Sequence, residues 1–329
     1  MFGKIIGTGS CVPEHRVSNQ ELSGFLETND AWIRERTGIG SRRVVDGERP
    51  EDLALAAAKN ALSAARISAE ELDMIVVSTL SSNHMLPSVS CLVQRGLGAK
   101  RAMCFDLNAA CTGFLAAYNT MQAYINLGIV KTGLVVGAEG LSRITDWSDR
   151  SSCILFGDGA GAAVLRSDPE AEFATVMHAD GEKGDALTCE FAYALEEGYP
   201  GTVLPVAPEE KKRRTLIRMN GQEVFRFAIR QVPACIQELL AQENRELDSV
   251  DWFLLHQANA RIIEGAAKRL GAPIEKFPMN LAEYGNTSSA SIPILLDELV
   301  RDGKIRRGQR LILAGFGGGL TWGATKVTF

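Results

Sequence analysis

Phe105-Asp106-Leu107-Asn108-Ala109-Ala110-Cys111-Thr112-Gly113-Phe114-Leu115-Ala116-Ala117-Tyr118 changes backbone habit at its centre. An extended apolar lead-in passes into small residues, then a cysteine, then a run with helical spacing. Phe114, Ala117 and Tyr118 fall at i, i+3 and i+4, the period of one buried helix face. A thiol at that junction sits where unpaired backbone N–H groups and the positive helix end favour a thiolate. The small neighbours let another backbone or a substrate come close. The same residues also suit a buried cysteine packing as a small hydrophobe.

Outward from this stretch, buried strands alternate with helices. Residues 73–78 and 133–138 are continuous apolar runs, the pattern of strands covered on both faces, and 102–106 is another that leads to Cys111. The alanine-rich stretch 51–65 is an amphipathic helix, and 86–97 reads as helical after Pro87. Residues 4–7 read as a short strand closed by a Val12-Pro13 turn. Ser18, three residues before Glu21, makes a capping box at a helix start. Residues 30–38 form a loop or short helix with an aromatic, Trp32, among arginines. Residues 155–165 read as a glycine-rich turn feeding an edge of the same sheet.

The second half repeats this order. Residues 251–255 echo 73–77, 309–314 echo 132–138, and 317–327 echo 157–165, with similar separations. The expectation is an α/β protein of two parallel-rich halves, 1–168 and 169–329, joined near 166–172. Residues 181–217, with Gly, Pro and a charge run, read as a surface excursion.

The bulk numbers agree with a large doubled unit. The 329 residues exceed one small domain, and 46% hydrophobic with 23% charged residues is ordinary for a soluble globular chain. A net charge of −5 argues against a general nucleic-acid binder. No apolar run reaches the ~18 residues of a membrane span, and Met1-Phe2-Gly3-Lys4 leads into a strand rather than a signal peptide. Seven scattered cysteines without a C-x-x-C pair fit reduced cytosolic thiols, not a disulfide framework or a zinc ribbon. Four histidines, none two to five residues from another, give a His-based metal site no support.

Three further segments carry chemistry. In Leu254-Leu255-His256-Gln257-Ala258-Asn259, a histidine ends an apolar strand, well placed for a crevice between α/β halves; a hydrogen-bonded core histidine fits as well. Tyr284-Gly285-Asn286-Thr287-Ser288-Ser289 is an ordinary turn and cap by composition, or an asparagine aimed inward to donate to an oxyanion. Gly315-Phe316-Gly317-Gly318-Gly319 allows backbone N–H groups close to a substrate oxygen, and no Gly-Lys-Ser/Thr follows to make it a phosphate loop. Gly157-Asp158-Gly159-Ala160-Gly161 has the wrong spacing for a dinucleotide fingerprint.

Asn108-Ala109-Ala110-Cys111-Thr112-Gly113-Phe114, His256-Gln257-Ala258-Asn259, Gly285-Asn286-Thr287-Ser288 and Gly315-Phe316-Gly317-Gly318-Gly319 together resemble the β-ketoacyl-acyl-carrier-protein synthase III family. The resemblance runs essentially end to end. It implies a thiolase-like fold, two pseudo-duplicated βαβ halves in a layered α-β-α-β-α core. The implied reaction joins an acyl-CoA primer to malonyl-acyl-carrier protein with loss of carbon dioxide, starting type II fatty-acid synthesis. By resemblance Cys111 is the nucleophile, His256 and Asn286 donate to the thioester oxygen, and the N–H groups of Cys111 and Gly318 form the oxyanion hole. Trp32, Arg36 and Arg150 match the holders of the CoA nucleotide. Thr28, Gly221, Phe225 and Asn259 match the phosphopantetheine tunnel. Leu86 and Phe316 match the acyl pocket, and Arg226 and Arg261 the basic rim where the carrier protein docks. Lys211-Lys212-Arg213-Arg214 either extends that rim or is a solvated loop. The resemblance further implies a cytoplasmic homodimer, no metal or redox cofactor, and no nucleic-acid or membrane partner.

Two departures bear on substrate. Leu86 stands where acetyl-selective members often carry Phe, at a position that closes the acyl pocket across the dimer interface, so longer or branched primers fit. Residues 185–214 are longer than in familiar members and lie near the expected tunnel mouth. The nearest rival is a paralogue that primes a polyketide, quinolone or biotin-precursor pathway, separable by a panel of acyl-CoAs. A non-catalytic acyl holder is countered by Cys111, His256 and Asn286 occurring together. A cysteine hydrolase would need His256 and Asn286 as base and orienter. A thiolase proper would need a second cysteine near 315–319, which has none.

Overall fold

The computed structural model describes residues 1–190 and 215–329. In the first half the main elements are Phe2–Cys11 (β1), Asp30–Thr37 (α1), Pro50–Ala65 (α2), Met74–Ser78 (β2), Val89–Leu97 (α3), Met103–Leu107 (β3), Gly113–Asn126 (α4), Thr132–Gly140 (β4) and Asp158–Asp168 (β5). In the second half they are Phe173–Ala179 (β6), Gly221–Gln242 (α5), Trp252–Leu255 (β7), Ala260–Leu270 (α6), Ser291–Arg301 (α7), Arg310–Gly317 (β8) and Thr321–Thr328 (β9). The first sheet has the order β1-β5-β4-β2-β3 and the second β7-β8-β9-β6. β2 runs parallel to β3 and β4, β7 runs parallel to β8, and the remaining neighbours are antiparallel.

Read from the outer strand inward, β1-β5-β4-β2 and β6-β9-β8-β7 are the same arrangement. The repeat keeps register through the site. β2, the turn before α4, α4 itself and β4 begin at Met74, Ala110, Gly113 and Thr132. Their counterparts begin at Trp252, Ser288, Ser291 and Arg310, 178 positions later in each case. By that offset Cys111 corresponds to Ser289.

Strand alternation builds the layers, because successive side chains face opposite sides. Ile75, Val77, Leu134 and Val136 pack under α2 and α3, whereas Met74, Val76 and Val135 face the middle of the molecule. In the second sheet Phe253, Leu255, Ile312 and Ala314 lie under α5 and α6, and Leu254, Leu311 and Leu313 face the middle. α4 and α7 fill that middle layer through Phe114, Leu115, Tyr118, Ile292, Leu295 and Leu296. The result is the α-β-α-β-α stack of the thiolase-like fold. Each such buried aliphatic side chain contributes about 1.5–3 kcal/mol. Asp297 of α7 ties the middle layer to β1, accepting from Thr8 and Ser10 and pairing with Arg301 at 2.6 Å.

Two expectations are corrected. Residues 157–165 are not an edge: β5 lies inside the sheet, because the first strand runs the full Phe2–Cys11 and takes the outer place. The glycines serve packing instead of turning. A Cβ at Gly161 would stand 2.6 Å from the Ile294 nitrogen, so α7 lies directly on the strand. Nor is 181–217 merely a surface excursion, since Leu187–Cys189 pairs antiparallel with Ile217–Met219 and both line the cavity described below. Lys211, Lys212, Arg213 and Arg214 lie outside the described residues.

Candidate active site

β3 delivers the chain to Asn108, whose side-chain oxygen accepts the Ala110 N–H at 3.0 Å and sets up a tight turn. Ala110 takes φ 45°, a strained value for a residue with a Cβ, and its counterpart Ser288 takes φ 48°. The two halves therefore approach each other through the same uncommon backbone. Cys111 follows at the start of α4, 8% exposed. It lines a cavity of about 440 Å³ with Asn108, Ala110, Ser288, Gly318 and Thr321. Leu187, Cys189 and Ile217 line the same cavity.

The glycine run of β8 passes against the cysteine. A Cβ at Gly317 would stand 2.8 Å from both Cβ and the backbone N of Cys111, closer than any real side chain approaches. At Gly318 the nearest atoms would be Leu187 O at 3.4 Å and Ala110 Cβ at 3.6 Å, ordinary contact. The structure thus brings Cys111 and Gly318 to one cavity, with Gly317 as the point of closest approach.

Burial pushes the Cys111 thiol up to about 12, with the Ser288 hydroxyl easing it down and Glu139 pushing it further up. His256 is buried, and desolvation pulls its imidazole down to about 3, so the ring is neutral at pH 7. Its Nδ1 lies 2.7 Å from Ser291 Oγ, which also accepts the Gln257 N–H at 3.3 Å. Asn286 Oδ1 accepts the Ser288 N–H at 2.9 Å, which leaves its amide N–H groups as the donor end. The Asn286 backbone is held opposite Phe156 in a parallel bridge, its N–H donating to Leu155 O at 2.8 Å and its carbonyl accepting the Gly157 N–H at 3.0 Å.

Neither His256 nor Asn286 lines the cavity; Asn286 is joined to it through the Ser288 N–H that its side-chain oxygen accepts. Phe316 itself packs edge-on to His256 with ring centroids 5.3 Å apart and belongs to the core under α5 and α6, not to the cavity wall. Leu86 is 86% exposed and likewise no part of its own chain's cavity.

None of the remaining residues lines that cavity, but contacts link several of them to one another. Arg150 and Arg36 lie over the Trp32 ring at 5.0 and 5.9 Å, and Arg150 donates to Glu27 O. Asn29 caps α1, and Gly38 ends it with φ 80°. Asn259 donates to Arg36 O at 3.0 Å and caps the Arg261 N–H. Arg261 lies 5.2 Å over Phe225, near exposed Gly221 and Arg226 at the start of α5. Thr28 has a buried hydroxyl with no hydrogen-bond partner among the described residues. All seven cysteines are free thiols, and among the described residues no three His, Cys, Asp or Glu cluster as metal ligands would.

Glu139 and Ser291 join the site without belonging to any of the motifs quoted above, and Ser288 belongs to one only as part of a turn. An ionisable residue directly after the apolar run 133–138 was the available signal for Glu139, the same pattern that marks His256.

Residues 105–181 match the family profile 3-oxoacyl-[acyl-carrier-protein (ACP)] synthase III, and 240–329 its C-terminal counterpart. A β-ketoacyl-[acyl-carrier-protein] synthase III of Clostridium acetobutylicum is 44% identical over 322 residues, 98% of this chain and 97% of that one. The crystal structure of 3-oxoacyl-[acyl-carrier-protein] synthase III from Aquifex aeolicus superposes with a TM-score of 0.91 at 40% identity, covering 99% of this chain and 100% of that one. The priming β-ketosynthase of the R1128 polyketide pathway superposes with a TM-score of 0.90 at 33% identity, covering 100% and 96%.

Proposed function

Because the chain belongs to the 3-oxoacyl-[acyl-carrier-protein] synthase III family, acyltransferases of the initiating condensation in fatty-acid synthesis, we propose that it works through an acyl-Cys111 intermediate. The Cys111 sulfur attacks the thioester carbonyl of an acyl-CoA; the C–S bond to CoA breaks and the thiol proton leaves with CoA. Malonyl-acyl-carrier protein then loses carbon dioxide, and its carbanion attacks the acyl-Cys111 carbonyl to give 3-oxoacyl-carrier protein and free the thiol.

The single observation that carries this reading is the approach of Gly317 to Cys111, which sets a backbone wall from one half against the nucleophile of the other. The N–H groups of Cys111 and Gly318 serve the acyl oxyanion. His256, neutral at pH 7, and Asn286, with its carbonyl end already occupied, serve as hydrogen-bond donors. Each such donor lowers the barrier by about 3 kcal/mol. No step calls for a metal or redox group.

The Trp32, Arg36 and Arg150 stack holds the CoA nucleotide, Thr28, Gly221, Phe225 and Asn259 flank its pantetheine arm, and Arg226 and Arg261 receive the acidic carrier protein. β3 leaves one edge of the first sheet open, with Met103 43%, Met85 74% and Leu86 86% exposed. A second copy of the chain covers that edge and brings Leu86 to the partner's acyl pocket. No described helix is long and apolar enough to cross a membrane, and the enzyme works in the cytoplasm. Assay of straight and branched acyl-CoAs with malonyl-carrier protein tests the reading: 3-oxoacyl-carrier protein must form from short primers. Turnover confined to a specialised starter would favour a dedicated priming enzyme instead.

A further inference from the structure

Glu139 ends β4 fully buried, between the two halves of the molecule. One oxygen, Oε2, accepts from Ser81 Oγ at 2.5 Å and from the Leu80 N–H at 3.2 Å, and Ser81 Oγ in turn accepts from the Gly140 N–H at 2.8 Å. The other, Oε1, lies 2.7 Å from Ser289 Oγ, the positional counterpart of Cys111 in the repeat. That serine has one hydroxyl hydrogen but two acceptors in reach, because the Ser78 carbonyl lies 3.1 Å away. With Glu139 ionised, one of the two contacts goes unmade. With a proton on Oε1, the carboxyl donates to Ser289 and Ser289 donates to Ser78, so every position is satisfied. Burial acts in the same direction, lifting the carboxyl to about 7.

Next to Ser289, Ser288 has a buried hydroxyl without a well-formed hydrogen bond among the described residues, close enough to both Cys111 and Glu139 to favour the charged form of each. Cys111 is the titratable group that faces Glu139 from an adjoining element. Asp158, on the neighbouring strand, is engaged by Ser142 and the Val45 N–H. Glu51, beside the Pro50 ring that abuts Gly140, lies 3.3 Å from His84 Nδ1 and 3.9 Å from Arg49 Nε.

We propose that Glu139 is a positioning residue for the nucleophile: in its protonated form it clamps the Ser288–Ser289 turn against Cys111, and its ionisation opposes the thiolate. This rests on Cys111 being the nucleophile of the proposed reaction, and its test reads the thiol without any acyl-CoA.

The experiment measures the pH profile of Cys111 alkylation by iodoacetamide, followed by mass spectrometry of the Cys111 peptide, in wild type and Glu139→Gln. The thiolate forms a C–S bond and iodide leaves. Glutamine reproduces the protonated carboxyl, its amide donating to Ser289 and its carbonyl accepting from Ser81 and Leu80. The two proteins should alkylate alike at about pH 6, with Glu139→Gln about tenfold faster at about pH 9, one pKa unit of relieved repulsion. Equal rates at both pH values, or a slower variant, overturn the proposal; the slower variant would make Glu139 a base. Infrared spectra of the wild type give a second reading that does not require the glutamine variant to fold. A protonated-carboxyl C=O band must be present at about pH 5, fade through neutrality and move in Glu139→Asp. A missing or unmoved band overturns the proposal.

Discussion

Replacing Gly317 by alanine puts one methyl group 2.8 Å from both the Cβ and the backbone N of Cys111, and 3.2 Å from its Cα. Carbon atoms rest at about 3.5–4.0 Å, so β8 and the start of α4 must separate by roughly 1 Å. Neither side yields by rotating a side chain, since one contact is backbone and the other is the first atom of the cysteine. Overpacking of this kind costs about 1–3 kcal/mol of stability. A misplacement of about 1 Å at a reacting centre costs about 10²-fold in rate. Gly317→Ala is therefore expected to melt a few degrees lower and to form the acyl-enzyme about 10²-fold more slowly in stopped-flow release of CoA. Gly318→Ala is the control: its methyl meets nothing closer than 3.4 Å and the oxyanion N–H is kept, so its rate should fall less than about threefold. Wild-type acylation by Gly317→Ala, or equal damage in both variants, would refute the steric argument.

His256→Ala and Asn286→Ala should still release CoA on acylation but lose about 10²–10³-fold in carbon dioxide release from malonyl-carrier protein, because each removes one donor to the developing enolate. Trp32→Ala and Arg150→Ala should raise KM for acyl-CoA about two- to fivefold with kcat little changed, in steady-state assays across acyl-CoA concentration. Glu139 also bears on stability. Its folded pKa of about 7 stands above the usual 4.5, so the folded state holds a proton the unfolded state has lost between those values. Stability from this group is complete below about 4.5 and lost as pH rises to 7, about 3 kcal/mol in all. Glu139→Gln should accordingly gain melting temperature relative to wild type between about pH 5 and pH 8, by differential scanning calorimetry; no relative gain contradicts the assignment.

The strands at 73–78 and 133–138 were readable because both their faces are covered, leaving continuous apolar runs with no competing pattern. The same property made the repeat visible at 251–255 and 309–314. Glycine misled where it serves packing: Gly159 and Gly161 read as a turn, yet they thin β5 so that α7 can lie on it. The helix expected from 86 begins at Val89, because Ser88 caps it by accepting the Cys91 N–H. At the site, Cys111 and His256 announced themselves by standing where an element ends. The serines around Glu139 did not, because a serine's role depends on which partner folding places 2.7 Å away. Leu187 and Cys189 fall in the stretch expected near the tunnel mouth, but their pairing with Ile217–Met219 into cavity wall left little pattern, being short apolar alternations within a polar stretch.

The most direct test is intact-mass and peptide analysis of the purified protein after a short incubation with a short-chain acyl-CoA and no malonyl-carrier protein. The account predicts one acyl group per chain, located on the peptide bearing Cys111, absent from Cys111→Ala and discharged on adding malonyl-carrier protein. An adduct that persists in Cys111→Ala, or that maps to another residue, would contradict it.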